Sequence, residues 1–334
     1  IALVGAGTAH AQHLLDMPKP PPAPAGWAGL IGEYGRDNHI LISERDGSLD
    51  ATVEWFAPAV MREVSTSVFE WPHSGLYDGD MLTFVRDSSG RATQLTVGGV
   101  TFPRRTVGPE SGNQLRITPV RPVEELRSIA LAATPPAEKP SARSADLVEL
   151  TRLDPSIKLE VRYATTNNFL GSRMYTEARA FMQRPAADAL VRVSRKLHDR
   201  GYGLLVHDAY RPWYVTKIFW DATPAQRKWL VANPTSGSRH NRGCAVDLTL
   251  YYLRSGKAVE MVSTYDESTE RAYADYPGGT SLQRWHRALL RSVMESEGFG
   301  ANPEEWWHFD YKDWRDYPIM NTPFEKLDVA TTIH

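Results

Sequence analysis

Two hydropathy periods divide this chain, and each admits a different kind of fold. From Trp27 to about Arg105 apolar and polar residues alternate, as in HILISER, TVEWF and MLTFVRD, and turn pairs such as Asp46-Gly47, Ser89-Gly90 and Gly98-Gly99 separate the runs. Alternation at period two sets one face of each run on a core, which predicts a small antiparallel β domain over residues 27–105. After Asp146 the texture changes. Ala186, Leu190, Val193 and Leu197 recur at helical spacing, and Gly201 closes that helix. GLLVHDAY follows as a buried strand, and Thr223-Pro224-Ala225-Gln226 reads as a capped helix start. Leu282, Trp285, Leu289 and Val293 mark another amphipathic helix, closed by Gly298. With AVDLTL and WWHFDY as further strands, residues 146–320 make an α+β domain. The stretch 106–145 carries Pro119, Pro122, Pro135, Pro136 and Pro140, with little apolar periodicity after Ala133, and reads as a linker.

Residues 1–11, IALVGAGTAHA, are small and apolar and end on Ala9-His10-Ala11. That is a cleavage-type pattern after part of a hydrophobic region, so they are expected to be a signal-peptide remnant, and the protein secreted or periplasmic. Residues 12–26 form a Pro-rich tether and 321–334 a C-terminal tail. The 38 Lys and Arg against 40 Asp and Glu leave a formal charge of -2, which gives no electrostatic footprint for nucleic acid or an anionic membrane surface. No run approaches the roughly 20 apolar residues of a membrane span. There is one cysteine, Cys244. An intramolecular disulfide and a multi-cysteine zinc site are therefore excluded, and any metal must be held by histidine and carboxylate.

Two segments concentrate such groups. In SRHNRGCAVD, Gly243 lies between His240 and Asp247, so a turn can bring an imidazole and a carboxylate to one point; in EEWWHFDY, Glu305 and His308 are three residues apart. Two histidines and one carboxylate, with a position left for water, is the composition of a catalytic zinc site, whereas a structural site fills all four positions with protein. A third segment, HDAYRPW, sets Asp208 three residues before Arg211, which alone reads as a salt bridge. Cys244 reads as a small buried residue, His207 as a partner behind the site, and His198 and His286 as helix residues that are solvated or packed. Glu33, Asp37, His39 and Glu44 read as polar groups on the solvent face of β-domain strands.

The order YRP, SxHxxGxAxD, ExxH resembles the zinc D-alanyl-D-alanine dipeptidases of the VanX type, relatives of the D,D-carboxypeptidases and of the hedgehog-like fold. The likeness runs from about Asp154 to Tyr317 and includes VRYATTNNFLG, GYGLLVHDAYRP, HNRGCAVDLTLYYLRSG and EWWHFDY. It implies one zinc ion per chain on His240, Asp247 and His308. It also implies Glu305 as general base, Arg211 as stabiliser of the oxyanion with Asp208 orienting it, and Tyr163, Ser238 and Asp266 near the charged ends of a dipeptide. The implied activity is hydrolysis of D-Ala-D-Ala in peptidoglycan metabolism. A D,D-carboxypeptidase trimming stem peptides is the alternative, and a noncatalytic cell-wall-binding protein another. The β segment is loosely similar, in GLIGEYG and DSSGRATQLTVGGVTFPRR, to modules appended to serine β-lactamase-like proteins, and is expected to offer a wall or protein contact.

Overall fold

A computed structural model describes residues 18–54, 56–107 and 115–327. The expected signal remnant at residues 1–11 lies outside the described residues. In the β domain, β1 (Gly32–Tyr34), β2 (Ile40–Arg45), β3 (Ser48–Val53) and β4 (Ala59–Val60) form one antiparallel sheet in that order. A second contains β5 (Arg62–Ser65), β6 (Val68–Glu70), β7 (Met81–Arg86), β8 (Ala92–Val97) and β9 (Val100–Pro103). Both sheets feed one core around Tyr34, Ile42, Leu49, Phe69, Phe84 and Leu95. Strand β7 shows the alternation expected of it, with Leu82 and Phe84 buried between exposed Met81, Thr83 and Val85.

Strand β2 departs from that pattern, since Ile40 through Glu44 are all buried. Its second face lies against the α+β domain rather than water. Leu41, on that face, packs with Val262 and Tyr276, while Glu44, on the face of Ile42 at the end of the strand, reaches the same domain by accepting the Ser281 N–H at 2.7 Å. Glu33 and Glu44, expected on a solvent face, are thus only 6% and 2% exposed. Of the four polar groups in question, Asp37 is exposed and His39 is half-buried beside Glu33.

The expected linker also differs. Within it, α1 (Val123–Ala132) buries Val123, Leu126 and Ala130, spaced to lie along one face. These join a core with Phe169, Tyr214 and Ile218. Prolines flanking a short apolar stripe look like linker in sequence, but Pro122 here only marks where a helix begins.

The remaining elements are β10 (Leu147–Glu149), α2 (Leu150–Leu153), β11 (Lys158–Leu159), β12 (Phe181–Gln183), α3 (Arg184–His198), β13 (Tyr202–Asp208), α4 (Trp213–Ala222), β14 (Ala245–Tyr252), α5 (Ser281–Ser296), β15 (Phe299–Ala301) and β16 (His308–Tyr311). Five of the strands form the main sheet, in the order β11-β13-β14-β16-β15. Only β11 runs parallel to its neighbour; the other pairings are antiparallel. Leu190 and Val193 of α3 and Leu289 and Leu290 of α5 share its core with Leu204, Leu250 and Phe309. Thr223 does not cap a new helix. Its hydroxyl donates to the Phe219 carbonyl at 2.7 Å, ending α4, and a six-residue 3-10 turn, Ala225–Leu230, follows. The first part of the expected tail is packed, since Phe324 is 2% exposed and its ring meets those of Tyr175, Phe181 and Tyr210. No helix among the described residues is long and apolar enough to cross a membrane.

Candidate active site

Strand β14 carries Asp247 in the middle of the main sheet, where all but its last residue are buried. Asp247 pairs with His308 of β16 on one side and Asp208 of β13 on the other, and directly paired residues project to the same face. The second pairing depends on a register shift in β13 between Val206 and Asp208. A regular ladder continued from the Val206–Leu248 pair would set His207 opposite Asp247 and turn Asp208 to the other face.

His240 arrives from the 3-10 turn Arg239–Arg242. Ser238 caps this turn. Its hydroxyl accepts the His240 N–H at 3.2 Å, and Asn241 Oδ1 accepts the Ser238 N–H at 2.7 Å. Gly243 ends the turn at φ 67°, and a Cβ there would lie 2.5 Å from Leu147 Cδ2. Glycine alone takes that conformation in that space, and it delivers the chain into β14.

Ligand atoms of His240, Asp247 and His308 lie within 4.8 Å of one another, and all three residues are buried. Each imidazole is oriented from behind. His240 Nδ1 donates to the Ala209 carbonyl at 2.7 Å, which leaves Nε2 facing the cluster. His308 Nε2 lies 3.1 Å from Asp310, whose other oxygen takes Arg239, and His308 Nδ1 faces Asp247 at 2.9 Å. Burial opposes charge on His308, but Asp247 and Asp310 push its pKa up to about 10. Against the same effect of burial, His240 and His308 hold the Asp247 carboxyl well below the usual carboxylate range. A metal that used His308 Nδ1 would take the place of the proton held there. Two nitrogens and a carboxylate, each held by a second layer of protein groups, fit a divalent metal such as zinc.

Arg211 is 8% exposed. Its Nε and Nη2 both donate to Asp208 Oδ2, at 3.0 and 2.8 Å, while Tyr175 donates to Asp208 Oδ1 at 2.8 Å. Its guanidinium also lies over the rings of Tyr163 and Phe219, 5.4 and 5.0 Å from their centroids. Asp208 and Arg211, three residues apart in HDAYRPW, are thus paired side chain to side chain. Glu305 sits in the turn before β16, 3.8 Å from His308 Nδ1, with Asn302 donating to it at 3.2 Å. Enclosure by the walls of the cleft, from which the side chain is still part-exposed, and the charge of Asp247 raise its pKa. Asp266, at φ 61°, accepts the Tyr163 hydroxyl at 3.0 Å. Burial, then Asp247 and Glu305, push its pKa up to about 7.

His240, Asp247, His308, Arg211, Glu305, Asp266 and Tyr163 line one cleft of about 980 Å³ together with Ser238, Phe219, Trp307 and Trp314, while Asp208 lies behind its wall. Three contributors escaped the sequence reading: Tyr175, Asp310 and Tyr265, whose hydroxyl donates to Asp247 at 3.2 Å. Asp310 was readable, because a carboxylate two residues beyond His308 on a strand shares its face. Tyr265 left no signal. His207 does sit behind the site, stacked on the Tyr265 ring at 4.5 Å. Cys244 stays outside the cluster, fully buried, and burial pushes its thiol up to about 12. His286 is packed against Tyr202, and His198 lies 3.2 Å from the Ser156 hydroxyl.

Residues 143–329 match the peptidase M15 family described as D-Ala-D-Ala dipeptidase. The chain belongs to this family. The D-alanyl-D-alanine dipeptidase of Escherichia coli K12 is 33% identical over 189 residues, covering 57% of this chain and 96% of that relative. The enzyme of the same name from Enterococcus faecium is 33% identical over 187 residues, covering 51% and 91%. That of Streptomyces coelicolor is 29% identical over 198 residues, covering 52% and 98%. This M15 peptidase therefore carries the family domain whole, with the β domain in front of it.

Proposed function

We propose that this M15 peptidase is a zinc dipeptidase that hydrolyses free D-Ala-D-Ala in peptidoglycan metabolism, with its α+β domain built on the hedgehog-like plan. The observation that carries the reading is Asp266: a half-buried acid, bonded to Tyr163, in the same cleft as the His240–Asp247–His308 cluster. A free dipeptide brings an ammonium group that needs such a partner, because burying an unpaired charge costs several kcal/mol. His240, Asp247 and His308 would hold the zinc, which would supply Lewis-acid activation of the scissile carbonyl and of the attacking water. Glu305 takes a proton from the attacking water and returns it to the leaving amine, a role suited to a carboxyl whose pKa is raised. Arg211, fixed on Asp208, donates to the oxygen that becomes negative. Ser238 caps the turn of His240 and faces the cleft, where its hydroxyl can bond the substrate. We further propose that the protein works outside the cytoplasm, which rests on the apolar segment ending in Ala9-His10-Ala11.

Free D-Ala-D-Ala assayed beside its N-acetyl derivative tests the reading. Hydrolysis of the free dipeptide alone is expected, since an uncharged amide cannot form the ion pair with Asp266. Cleavage of the acylated peptide at an equal or higher kcat/KM would make the enzyme a D,D-carboxypeptidase. The pKa of Asp266 adds a pH dependence. The ionised form pairs with ammonium, and with a pKa of about 7 its population rises from roughly a tenth to nine-tenths between about pH 6 and about pH 8. KM should fall several-fold over that interval. In Asp266→Asn it should be high and flat, and a variant that kept the wild-type slope would remove Asp266 from the ammonium site.

Arg211→Lys should lose about 100-fold or more in kcat/KM. Both donors to Asp208 belong to a planar fork that an ammonium cannot reproduce. Steady-state kinetics within threefold of wild type would reduce Arg211 to a structural partner of Asp208.

A further inference from the structure

The β domain lies outside the family match, which begins at residue 143, and the alignment with the Escherichia coli relative covers 96% of that protein but only 57% of this chain. What it touches gives it a task. Between β14 and α5 runs a strap, residues 253–280, that carries Asp266 and also lines the cleft with Glu267, Thr269 and Tyr273. Apart from the turn Glu270–Ala272 and a bridge at Ala258, the strap has no regular structure of its own. Its shape is set by what it is tied to.

The β domain ties it on both sides of Asp266. Leu41 packs on Val262 and Tyr276, and Glu33 accepts the Tyr276 hydroxyl at 2.6 Å. At the far end the Glu44 N–H donates to the Gly279 carbonyl at 3.1 Å, the Glu44 carboxylate accepts the Ser281 N–H at 2.7 Å, and the Asp46 N–H donates to the Ser281 hydroxyl at 3.0 Å. Glu33 and Arg105, 3.1 Å apart, themselves line the cleft. Burial opposes charge on Glu33, but His39, Tyr276 and Arg105 keep its pKa below the usual carboxylate range, so at neutral pH it is an ionised acceptor for the phenol.

We propose that the β domain is a working part of the substrate site: through the Glu33–Tyr276 bond it holds the strap so that Asp266 meets the substrate's ammonium group, and it walls the cleft on that side. This rests on the dipeptidase reading above. Tyr276 is then a positioning residue that acts through Asp266. The task is binding, so its loss should appear in KM and leave the metal and the proton transfers intact.

The experiment compares the full chain with Tyr276→Phe and, at the other end of the tie, Ser281→Ala. Tyr276→Phe is expected to raise KM for D-Ala-D-Ala about tenfold with kcat within twofold. Zinc content should stay at that of the wild type, and amide exchange across residues 262–280 should accelerate. Ser281→Ala should show the same pattern more weakly. Unchanged KM and exchange in both variants would overturn the proposal, as would a loss of zinc or of kcat equal to the change in KM. If the wild type hydrolyses no D-Ala-D-Ala, the functional reading fails instead, and exchange across residues 262–280 still decides whether the β domain holds the strap.

Discussion

Glu305→Gln should lower kcat by about 10²- to 10⁴-fold while the protein keeps its zinc. Glu305 belongs to a different layer of the site from the three ligand residues. Its side chain is 42% exposed, it approaches His308 Nδ1 only to 3.8 Å, and it is anchored by Asn302 at 3.2 Å. A glutamine can still accept from Asn302, so the turn and the register of β16 should survive. What disappears is the ability to take a proton and give it back. Zinc analysis of the purified variant, together with kcat on D-Ala-D-Ala, checks this. Turnover within tenfold of wild type would move the proton transfers to another group, and loss of zinc would make Glu305 a ligand.

Asp247→Ala should abolish both zinc binding and activity, and it should also unfold at a lower temperature. The carboxylate is 4% exposed and serves three groups at once: His308 at 2.9 Å, the Tyr265 hydroxyl at 3.2 Å and His240 at 3.5 Å. Removing one member of a buried ionic cluster costs roughly 3–5 kcal/mol, which in a domain of this size lowers Tm by roughly 10 °C. Asp247→Asn keeps the shape and so separates the two effects, with the smaller fall in Tm. Chelation of the wild type should lower its Tm as well, since an ion bound only by the folded state adds to stability by mass action. Stoichiometric zinc in the alanine variant, or activity that survives chelation, would remove the metallopeptidase reading.

The residues that gather around His240, Asp247 and His308 were largely legible before any fold. The lone cysteine forced the metal question onto histidine and carboxylate, and Gly243 between His240 and Asp247 marked a turn that the structure does contain. Helix α3 was readable because Ala186, Leu190, Val193 and Leu197 state its buried face at a fixed local spacing, whereas α4, buried on nearly every side, shows no such stripe. The same logic misplaced the burial of Glu33 and Glu44. Alternation along a strand says which residues share a face, but it does not say what covers that face, and in β2 the cover is another domain.

The residue types able to hold a metal, the order of the motifs and the change from period two to period 3.6 follow from the sequence alone, since each is a relation between neighbours in the chain. Tertiary structure decided the rest. The shift between Val206 and Asp208 sets Asp208 rather than His207 across from Asp247, and a residue 18 positions beyond Asp247, Tyr265, becomes its hydrogen-bond donor. The β domain gains its hold on the strap through bonds that span 235 to 243 residues. Pairings of that kind are set by how whole strands and domains close on one another, with loop entropy and packing deciding the register, and no local pattern carries them.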